Sequence, residues 1–236
     1  MKTISILVPA YNEEKRLPST LKKWQKFLVA RNNLNYEISE IIIIDDGSKD
    51  KTIFIAQSFE KVLPIEIIRI EKNKGKGNAI KSGVKKATRD LIFIYDADAA
   101  VPPEEIEKFL AQIEKYDIVI GSRTLEESKT KMSSTRRFIG LCFHIFCYPL
   151  LPKIKDASCG AKLFKTKFAK QIFELQKINR FAFDIEILWL AKKMNYKIKE
   201  VGVTWQEISG SKVNIFKDSL EMFFSVLGLY KKSLFG

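Results

Sequence analysis

Histidine and cysteine are scarce in this chain. Its one histidine, His144, lies inside an apolar run, so we expect it to pack rather than to catalyse. The three cysteines, Cys142, Cys147 and Cys159, are odd in number and lack the spacing of metal ligands. The odd cysteine count and the lack of metal-ligand spacing favour a reduced, cytosolic setting.

Long apolar segments are also absent. No run reaches the roughly 18 to 20 apolar residues that a membrane-spanning helix needs. The first apolar stretch, residues 4–8, is too short for the core of a signal peptide. We therefore expect a soluble or peripheral protein that is not exported.

The composition points to a folded protein with an anionic partner. The 236 residues are 46% apolar, enough for a substantial core, and the formal net charge is +13. Nucleic acid, a phosphorylated substrate and an anionic membrane surface all remain possible partners at this point.

Apolar runs and helical patterns alternate along the chain. This alternation predicts a parallel α/β sheet whose ligands bind beyond the carboxyl ends of its strands. The predicted strands are residues 4–8, 41–44, 65–70, 91–95 and 118–120, and the predicted helices begin near Tyr11, Thr52 and Asn78. The first helix is expected to end near Arg31.

Two carboxylates follow the fourth strand. On an extended chain Asp96 and Asp98 would point the same way, which makes them a candidate seat for Mg²⁺. A solvated loop is the alternative.

Asp45 and Asp46 follow the second strand and would accept hydrogen bonds from a base or ribose. The alternative is that they only form a turn whose Ser48 or Asp50 caps the next helix.

The other strand ends carry polar motifs too. Residues 9–13 follow the first strand, and residues 121–123 follow the fifth. In residues 73–78, Gly75 and Gly77 would permit close backbone approach while Lys76 offers a cation to a base or phosphate. A flexible surface turn is the alternative for this loop.

These motifs together resemble glycosyltransferase family 2, over residues 4 to about 212. The resemblance is carried by residues 8–13, 45–50, 73–79, 96–98 and 121–123, with residues 156–164 and 205–212 pointing to the branch that glycosylates polyprenyl phosphates. The pattern Trp-x-Glu-x-x-Gly-Ser-Lys, beginning at Trp205, is more typical of glucosyl than of mannosyl members. The resemblance implies a GT-A fold, UDP-glucose rather than GDP-mannose as donor, and a dolichyl or other polyprenyl phosphate as acceptor.

The resemblance also implies roles for individual residues. Asp98, with Asp96, would hold Mg²⁺ or Mn²⁺. The residues expected to bind the nucleotide sugar are Pro9, Ala10, Tyr11, Glu13, Asp45, Asp46, Lys76, Asp96, Ala97 and Asp98. The sequence departs from its relatives in two ways. Ala100 stands where mannosyl relatives carry a Gln that adds a metal ligand. The membrane anchor usual at the amino terminus of eukaryotic glucosyl relatives is not seen in this sequence, so we expect attachment through the chain's own helices or a partner protein.

A phosphate acceptor needs cations more than a base, because its second pKa lies near 6 and it is mostly dianionic at pH 7. Attack by this phosphate would invert the anomeric centre. The candidates for holding it are Arg123, Arg136, Arg137 and Lys212, although Arg136 and Arg137 fit a solvated loop equally well. Asp184 would orient donor hydroxyls, act as general base if the acceptor were a hydroxyl, or only cap a helix.

Two apolar segments raise the question of membrane contact. Residues 138–151 follow the basic Lys129, Lys131, Arg136 and Arg137, and residues 215–232 place Ile215, Leu220, Phe223, Phe224, Leu227 and Tyr230 on one helical face. Each suits a helix lying in the bilayer interface or, alternatively, a core helix. We expect a glycosyltransferase domain over residues 1–212, including the acceptor segment 129–151, and an amphipathic helix over 213–236.

Two other functions fit parts of the sequence. Transfer to a sugar hydroxyl would use the same donor site. A basic nucleic-acid-binding protein would explain the charge, but we recognise no nucleic-acid-binding module and the predicted site is lined by carboxylates. We therefore predict a metal-dependent glycosyltransferase at the cytoplasmic face of a membrane, without a nucleic-acid partner.

Overall fold

The computed structural model of the protein describes residues 1–30, 36–210 and 215–235, without the side chains of Arg136 and of residues 215–217, 234 and 235. The described strands are β1 (Lys2–Ala10), β2 (Tyr36–Asp45), β3 (Ile65–Arg69), β4 (Leu91–Ile94), β5 (Ile118–Ser122), β6 (Lys129–Lys131), β7 (Lys162–Lys165), β8 (Ile198–Gly202) and β9 (Thr204–Gln206). The described helices are α1 (Leu17–Ala30), α2 (Thr52–Ser58), α3 (Lys76–Lys86), α4 (Ile106–Ile113), α5 (Ser134–Cys147), α6 (Thr166–Leu175), α7 (Phe183–Lys193) and α8 (Ile215–Phe235), with a 3₁₀ turn over Pro103–Glu105.

Seven strands form the central sheet in the order β3-β2-β1-β4-β7-β5-β8. All neighbouring pairs are parallel except those of β7, which runs antiparallel to both β4 and β5. Strands β6 and β9 pair separately. The predicted mostly parallel α/β sheet is confirmed.

The sheet is covered on both faces, which explains the apolar runs that lack alternation. In β2, Ile41 and Ile43 join a core with α1, α2 and α4. Ile42 and Ile44 point the other way, into a second core shared with α3, α5, α6, α7 and α8. Because β1, β2, β4 and β5 all run in the same direction, their carboxyl ends lie at one edge of the sheet.

Three local predictions differ from the structure. Helix α1 begins at Leu17 rather than near Tyr11, and its predicted end at Arg31 lies outside the described residues. Strand β7 was not predicted. Helix α2 has Lys51 as its N-cap, so neither Ser48 nor Asp50 holds the predicted capping position. The Asp50 carboxylate nevertheless accepts a hydrogen bond from the Thr52 backbone N–H at 3.0 Å.

Candidate active site

The two carboxylates of the Asp-x-Asp motif lie in a turn beyond β4. The strand ends at Ile94, and the Ala99 backbone N–H donates to the carbonyl of Asp96 at 3.2 Å. The expectation that Asp96 and Asp98 lie on extended chain is therefore wrong. The two carboxylates are still close enough for the charge of Asp96 to raise the pKa of Asp98. The Thr20 hydroxyl stabilises the turn by donating a hydrogen bond to the Ala97 carbonyl at 2.7 Å.

Cationic side chains reach both carboxylates. Lys76 Nζ lies 2.5 Å from Asp96 Oδ1, and Arg16 Nη1 lies 3.5 Å from Asp98 Oδ2 while its guanidinium also pairs with Glu13. Burial raises the pKa of Asp96, but the hydrogen bond from Lys76 and the charges of Lys76, Lys162 and Arg123 together outweigh burial, so the net pKa is lowered. Burial and the negative charge of Asp96 together raise the pKa of Asp98.

The donor set of this turn fits a hard divalent cation. Within the described ranges, no three His, Cys, Asp or Glu side chains cluster in a way that could hold a metal ion. Mg²⁺ in nucleotide sites, however, is commonly held by one or two carboxylates plus substrate phosphates. Asp96 and Asp98 supply two carboxylates, and a cation beside them would offset the two causes that raise the pKa of Asp98, which are burial and then the negative charge of Asp96.

The acidic pair after β2 organises the neighbouring loops. Asp46 accepts hydrogen bonds from the backbone N–H groups of Lys74 and Gly75 at 2.9 and 2.7 Å, and Asp45 accepts from that of Ser48 at 3.2 Å. Burial raises the pKa of Asp46 despite these bonds. The turn predicted as the alternative is thus present, and it places both carboxylates at the site edge.

Loop 9–13 is bonded to the loop after β2. The Asn12 backbone N–H donates to Ser48 Oγ at 2.8 Å, and that of Glu13 donates to Thr52 Oγ1 at 2.7 Å. Of the predicted nucleotide-binding residues at the ends of the first two strands, Pro9 and Tyr11 are partly exposed, whereas Ala10, Glu13, Asp45 and Asp46 are buried.

The two glycines of loop 73–78 serve the protein rather than a ligand. A Cβ on Gly75, whose φ is +105°, would lie 2.6 Å from the carbonyl oxygen of Asn179, and one on Gly77 would lie 2.7 Å from that of Ile178. The space we expected to admit a ligand is filled by the loop between α6 and α7. Lys76 of this loop pairs through its side chain with Asp96.

A buried ion pair, Lys162 with Asp184, lies close enough to Asp96 for its ammonium to lower the pKa of that carboxyl. Lys162, at the start of β7, has a fully buried side chain, and its Nζ lies 2.5 Å from Asp184 Oδ1 and 2.5 Å from the carbonyl of Cys159. Asp184 lies in the first turn of α7, whose N-cap is Ala182, so the predicted capping alternative is wrong. Burial raises the pKa of Asp184, and Lys162 and Lys76 partly offset this rise.

Arg123 forms an ion pair with a carboxylate of its own chain, that of Asp156. Its Nε and Nη2 donate to Asp156 at 2.7 and 2.8 Å, and its guanidinium carbon lies 5.6 Å from the centre of the Trp205 ring. Burial of the guanidinium is outweighed by Asp156, which raises the pKa of Arg123 and lowers that of Asp156. The predicted acceptor cation Arg123 therefore lies near Asp96 with two of its donors occupied.

The remaining predicted acceptor cations are less defined. Arg137 is exposed in the first turn of α5, while the side chain of Arg136 and all of Lys212 lie outside the described residues. Sequence reasoning gave no role to Arg16, Asp156 or Lys162. Arg16 stands three residues after Glu13, which is a spacing that allows an ion pair on a helical turn. This spacing is the signal from which the pair could have been predicted.

Large apolar side chains are exposed on α5, through Tyr148, and on α8. We name this surface the α5–α8 face: Phe138, Leu141, Ile145, Tyr148, Leu220, Phe223, Phe224 and Leu227, which are eight of the thirteen exposed large apolar residues of the described chain. The helices are joined by a stacked pair, Phe146 and Phe223, with ring centroids 4.5 Å apart. Tyr230, predicted on the outer face, instead donates its hydroxyl to the Phe146 carbonyl.

Both segments predicted as interfacial contribute some side chains to the core and leave others exposed. Val226 and Leu229 of α8 are buried in the core while Leu220 and Phe224 are exposed. None of the helices in the described ranges is long and apolar enough to cross a membrane.

The sequence model "Glycosyl transferase family 2" matches residues 5–173. A dolichyl-phosphate beta-glucosyltransferase of Dictyostelium discoideum is 41% identical over 99% of this chain and 75% of its own length. The human protein of the same name is 36% identical over 94% of this chain and 72% of its own length.

Solved structures share the fold at low sequence identity. Glucosyl-3-phosphoglycerate synthase from Mycobacterium tuberculosis, crystallised with Mn²⁺, UDP and glucosyl-3-phosphoglycerate, has a TM-score of 0.70 and 16% identity over 96% of this chain and 77% of its own. Mannosyl-3-phosphoglycerate synthase from Rubrobacter xylanophilus has a TM-score of 0.72 and 17% identity over 99% of this chain and 74% of its own. At such identities the likeness concerns the fold.

Proposed function

The chain belongs to glycosyltransferase family 2, and from this premise we propose that it transfers glucose from UDP-glucose to dolichyl phosphate or a related polyprenyl phosphate. The observation that carries the proposal is the 41% identity, over almost the whole chain, to a protein named for that reaction. The acidic strand edge and the α5–α8 face supply the two environments that such a reaction needs.

The donor would lie along the carboxyl edge of β1, β2 and β4. Pro9, Ala10, Tyr11, Glu13, Asp45 and Asp46 are our proposed contacts to base and ribose, with Lys76 and Ala97 closer to the diphosphate. Asp98, with Asp96, would hold Mg²⁺ or Mn²⁺. When bound there, the cation would neutralise the charge that develops on the diphosphate leaving group. Mn²⁺ in a structural neighbour supports this proposal.

The acceptor phosphate needs no strong base in this reaction, since it is largely dianionic at pH 7. We propose that Asp184 accepts hydrogen bonds from hydroxyls of the donor sugar and that Arg137, Arg136 and Lys212 attract the phosphate. Arg123, with two donors on Asp156, would act mainly by holding the loop at residues 156–160 against Asp96. Direct displacement gives a β-linked product from an α-linked donor.

We propose that the α5–α8 face lies in the cytoplasmic interface of a membrane, where a polyprenyl acceptor resides. The exposed apolar side chains are accompanied by exposed Lys129, Lys131, Arg137, Lys231 and Lys232. An apolar face with basic residues nearby suits a surface of anionic lipid. In this proposal residues 1–212 form the catalytic domain and residues 213–236 the interfacial helix; a membrane-anchoring partner protein could strengthen the attachment.

A donor panel tests the function. The protein is incubated with dolichyl phosphate, Mg²⁺ and radiolabelled UDP-glucose, GDP-mannose or UDP-galactose, and label that partitions into organic solvent is counted. We expect label only from UDP-glucose. Label transferred from GDP-mannose instead would replace the donor assignment, and transfer only to a soluble sugar would contradict the lipid acceptor.

A further inference from the structure

Lys162 is a charged side chain with no access to solvent. Its exposed fraction is 0%, and its ammonium is bonded to Asp184 and to the carbonyl of Cys159. Burying an ammonium ion and a carboxylate costs several kcal/mol for each ion, and the attraction between them often only balances this cost. Stability alone therefore gives little reason for this pair.

The reversed direction of β7 explains how Lys162 reaches the site. Lys162 lies opposite Ile94 of β4 and Ile120 of β5, so the first residue of β7 stands at the carboxyl end of β4 and two residues before that of β5. Its ammonium lowers the pKa of both Asp96 and Asp184. Lys162 bonds Asp184 directly, whereas it acts on Asp96 through its charge.

The two partners differ in what they can touch. The side chain of Asp184 keeps 10% of its surface exposed, whereas Lys162 has none. Since one oxygen of Asp184 is bonded to the buried Lys162 at 2.5 Å, the orientation of the carboxylate is fixed by a group inside the protein. A donor molecule can meet Asp184 but cannot meet Lys162.

We propose that Lys162 is a positioning residue, which fixes the Asp184 carboxylate so that it accepts a hydrogen bond from a hydroxyl of the donor sugar. This inference deepens the proposed function and rests on it. A consequence is that Lys162 contributes to the affinity for the sugar and not to the affinity for the nucleotide. That division separates the role from a general effect on folding.

The test compares UDP with UDP-glucose by calorimetry in Mg²⁺, using the full chain. The ratio of the two dissociation constants is the gain from glucose. We expect Lys162→Met and Asp184→Asn each to reduce this gain by roughly 10- to 100-fold, the range for one hydrogen bond to a charged group, while UDP affinity changes little. The double variant should lose no more than Asp184→Asn alone, because Lys162 acts through Asp184.

The matched control is Lys165→Met, the same replacement at the other end of β7, where the lysine pairs with Asp117. It should keep the full gain. If Lys162→Met does not fold, the double variant, which leaves neither charge unpaired, provides the comparison with Asp184→Asn.

Three results would overturn the inference. In one, Lys162→Met keeps the gain from glucose; in another, it weakens UDP and UDP-glucose equally; in the third, the double variant loses clearly more than Asp184→Asn. A wild-type protein that binds UDP but gains nothing from glucose would instead contradict the proposed donor, and the role of Asp184 with it.

Discussion

At the carboxyl edge of the sheet the charged side chains are paired with one another, whereas the α5–α8 face presents large apolar side chains to solvent. Lys76, Arg16 and Lys162 each lie within 2.5 to 3.5 Å of a site carboxylate. On the α5–α8 face, Phe138 and Phe224 are 66% and 62% exposed. One region has its charges satisfied within the chain, and the other has apolar surface that the chain leaves uncovered.

The difference separates two kinds of partner. A preorganised set of charges suits a small polar ligand whose phosphates and hydroxyls replace existing contacts. A broad apolar surface has no such directional demands and suits a lipid interface. If this division is right, substitutions at the strand edge should change the chemistry, and substitutions on the helices should change only access to the lipid.

The largest effect is expected from Asp98→Asn. Loss of this carboxylate should lower glucose transfer by about 1000-fold or more, because electrostatic stabilisation by a metal is worth several kcal/mol. Folding should not suffer. The pKa of Asp98 is raised in the folded state, so its ionised form costs stability once the pH rises from its usual value near 3.9 through the raised pKa.

Urea unfolding of Asp98→Asn at pH 7 should therefore give a midpoint no lower than that of the wild type. Near-normal transfer by this variant would contradict the metal assignment. An unfolded variant would contradict the claim that the site and the fold are separable here.

A double variant on the helices, Leu141→Ser with Phe224→Ser, addresses the other region. Burying a whole apolar side chain is worth about 1.5 to 3 kcal/mol. Since Leu141 and Phe224 are 54% and 62% exposed, only about half of that is available from each, and we expect the affinity for anionic vesicles to fall by about 10- to 100-fold. Binding of UDP-glucose in solution should not change. Vesicle co-sedimentation and calorimetry measure the two properties.

Phe54→Ser is the control for this double variant, since Phe54 on α2 is 69% exposed but lies away from α5 and α8. It should leave vesicle binding intact. Equal loss in both proteins would mean that general hydrophobicity, rather than the α5–α8 face, drives membrane binding.

A smaller effect is expected from Lys231→Gln at the exposed end of α8. One basic residue near an anionic surface contributes about 1 kcal/mol, so vesicle affinity should fall about fivefold at low salt and less at high salt. Lys61→Gln, an exposed lysine after α2, is the matched control. A loss that does not diminish with salt would contradict an electrostatic contribution.

The smallest effect concerns the junction of the two regions. Arg180 lies beside the loop after β3 and pairs with Asp218 and Glu221 of α8 at 3.3 and 2.9 Å. Because Arg180 is 43% exposed, Arg180→Gln should lower the free energy of unfolding by about 1 kcal/mol or less. Urea unfolding measures this change, and a loss above about 3 kcal/mol would show that α8 depends on this one contact.

The sequence predicted the parallel part of the sheet because those strands are unbroken apolar runs ending in polar motifs. Residues 41–44, for example, are four isoleucines before Asp45. It predicted Asp96 and Asp98 as neighbours for a partly wrong reason, since they lie in a turn. Which oxygen meets which cation depends on loops that approach from distant parts of the chain, and no local pattern encodes this.

Strand β7 was missed because its four residues, Lys162 to Lys165, begin and end with lysine and look too polar for the middle of a sheet. The ammonium group of Lys162 can be buried because it forms an ion pair with Asp184, which lies on a helix 22 residues later. The α5 and α8 segments were ambiguous because each contributes side chains both to the core and to the surface. Periodicity cannot separate these uses when apolar residues lie all round a helix.

The position of β7 also constrains the order in which the molecule can be completed. In the sheet as described, β4 and β5 do not hydrogen-bond to each other, and β7 is the strand that pairs with both. A nascent chain that has emerged only as far as residue 150 therefore has β1 to β4 on one side and β5 on the other, with a strand missing between them. Asp96 and Arg123 become neighbours only after β7, which begins 39 residues after Arg123, has been made, so the candidate site is completed late in synthesis.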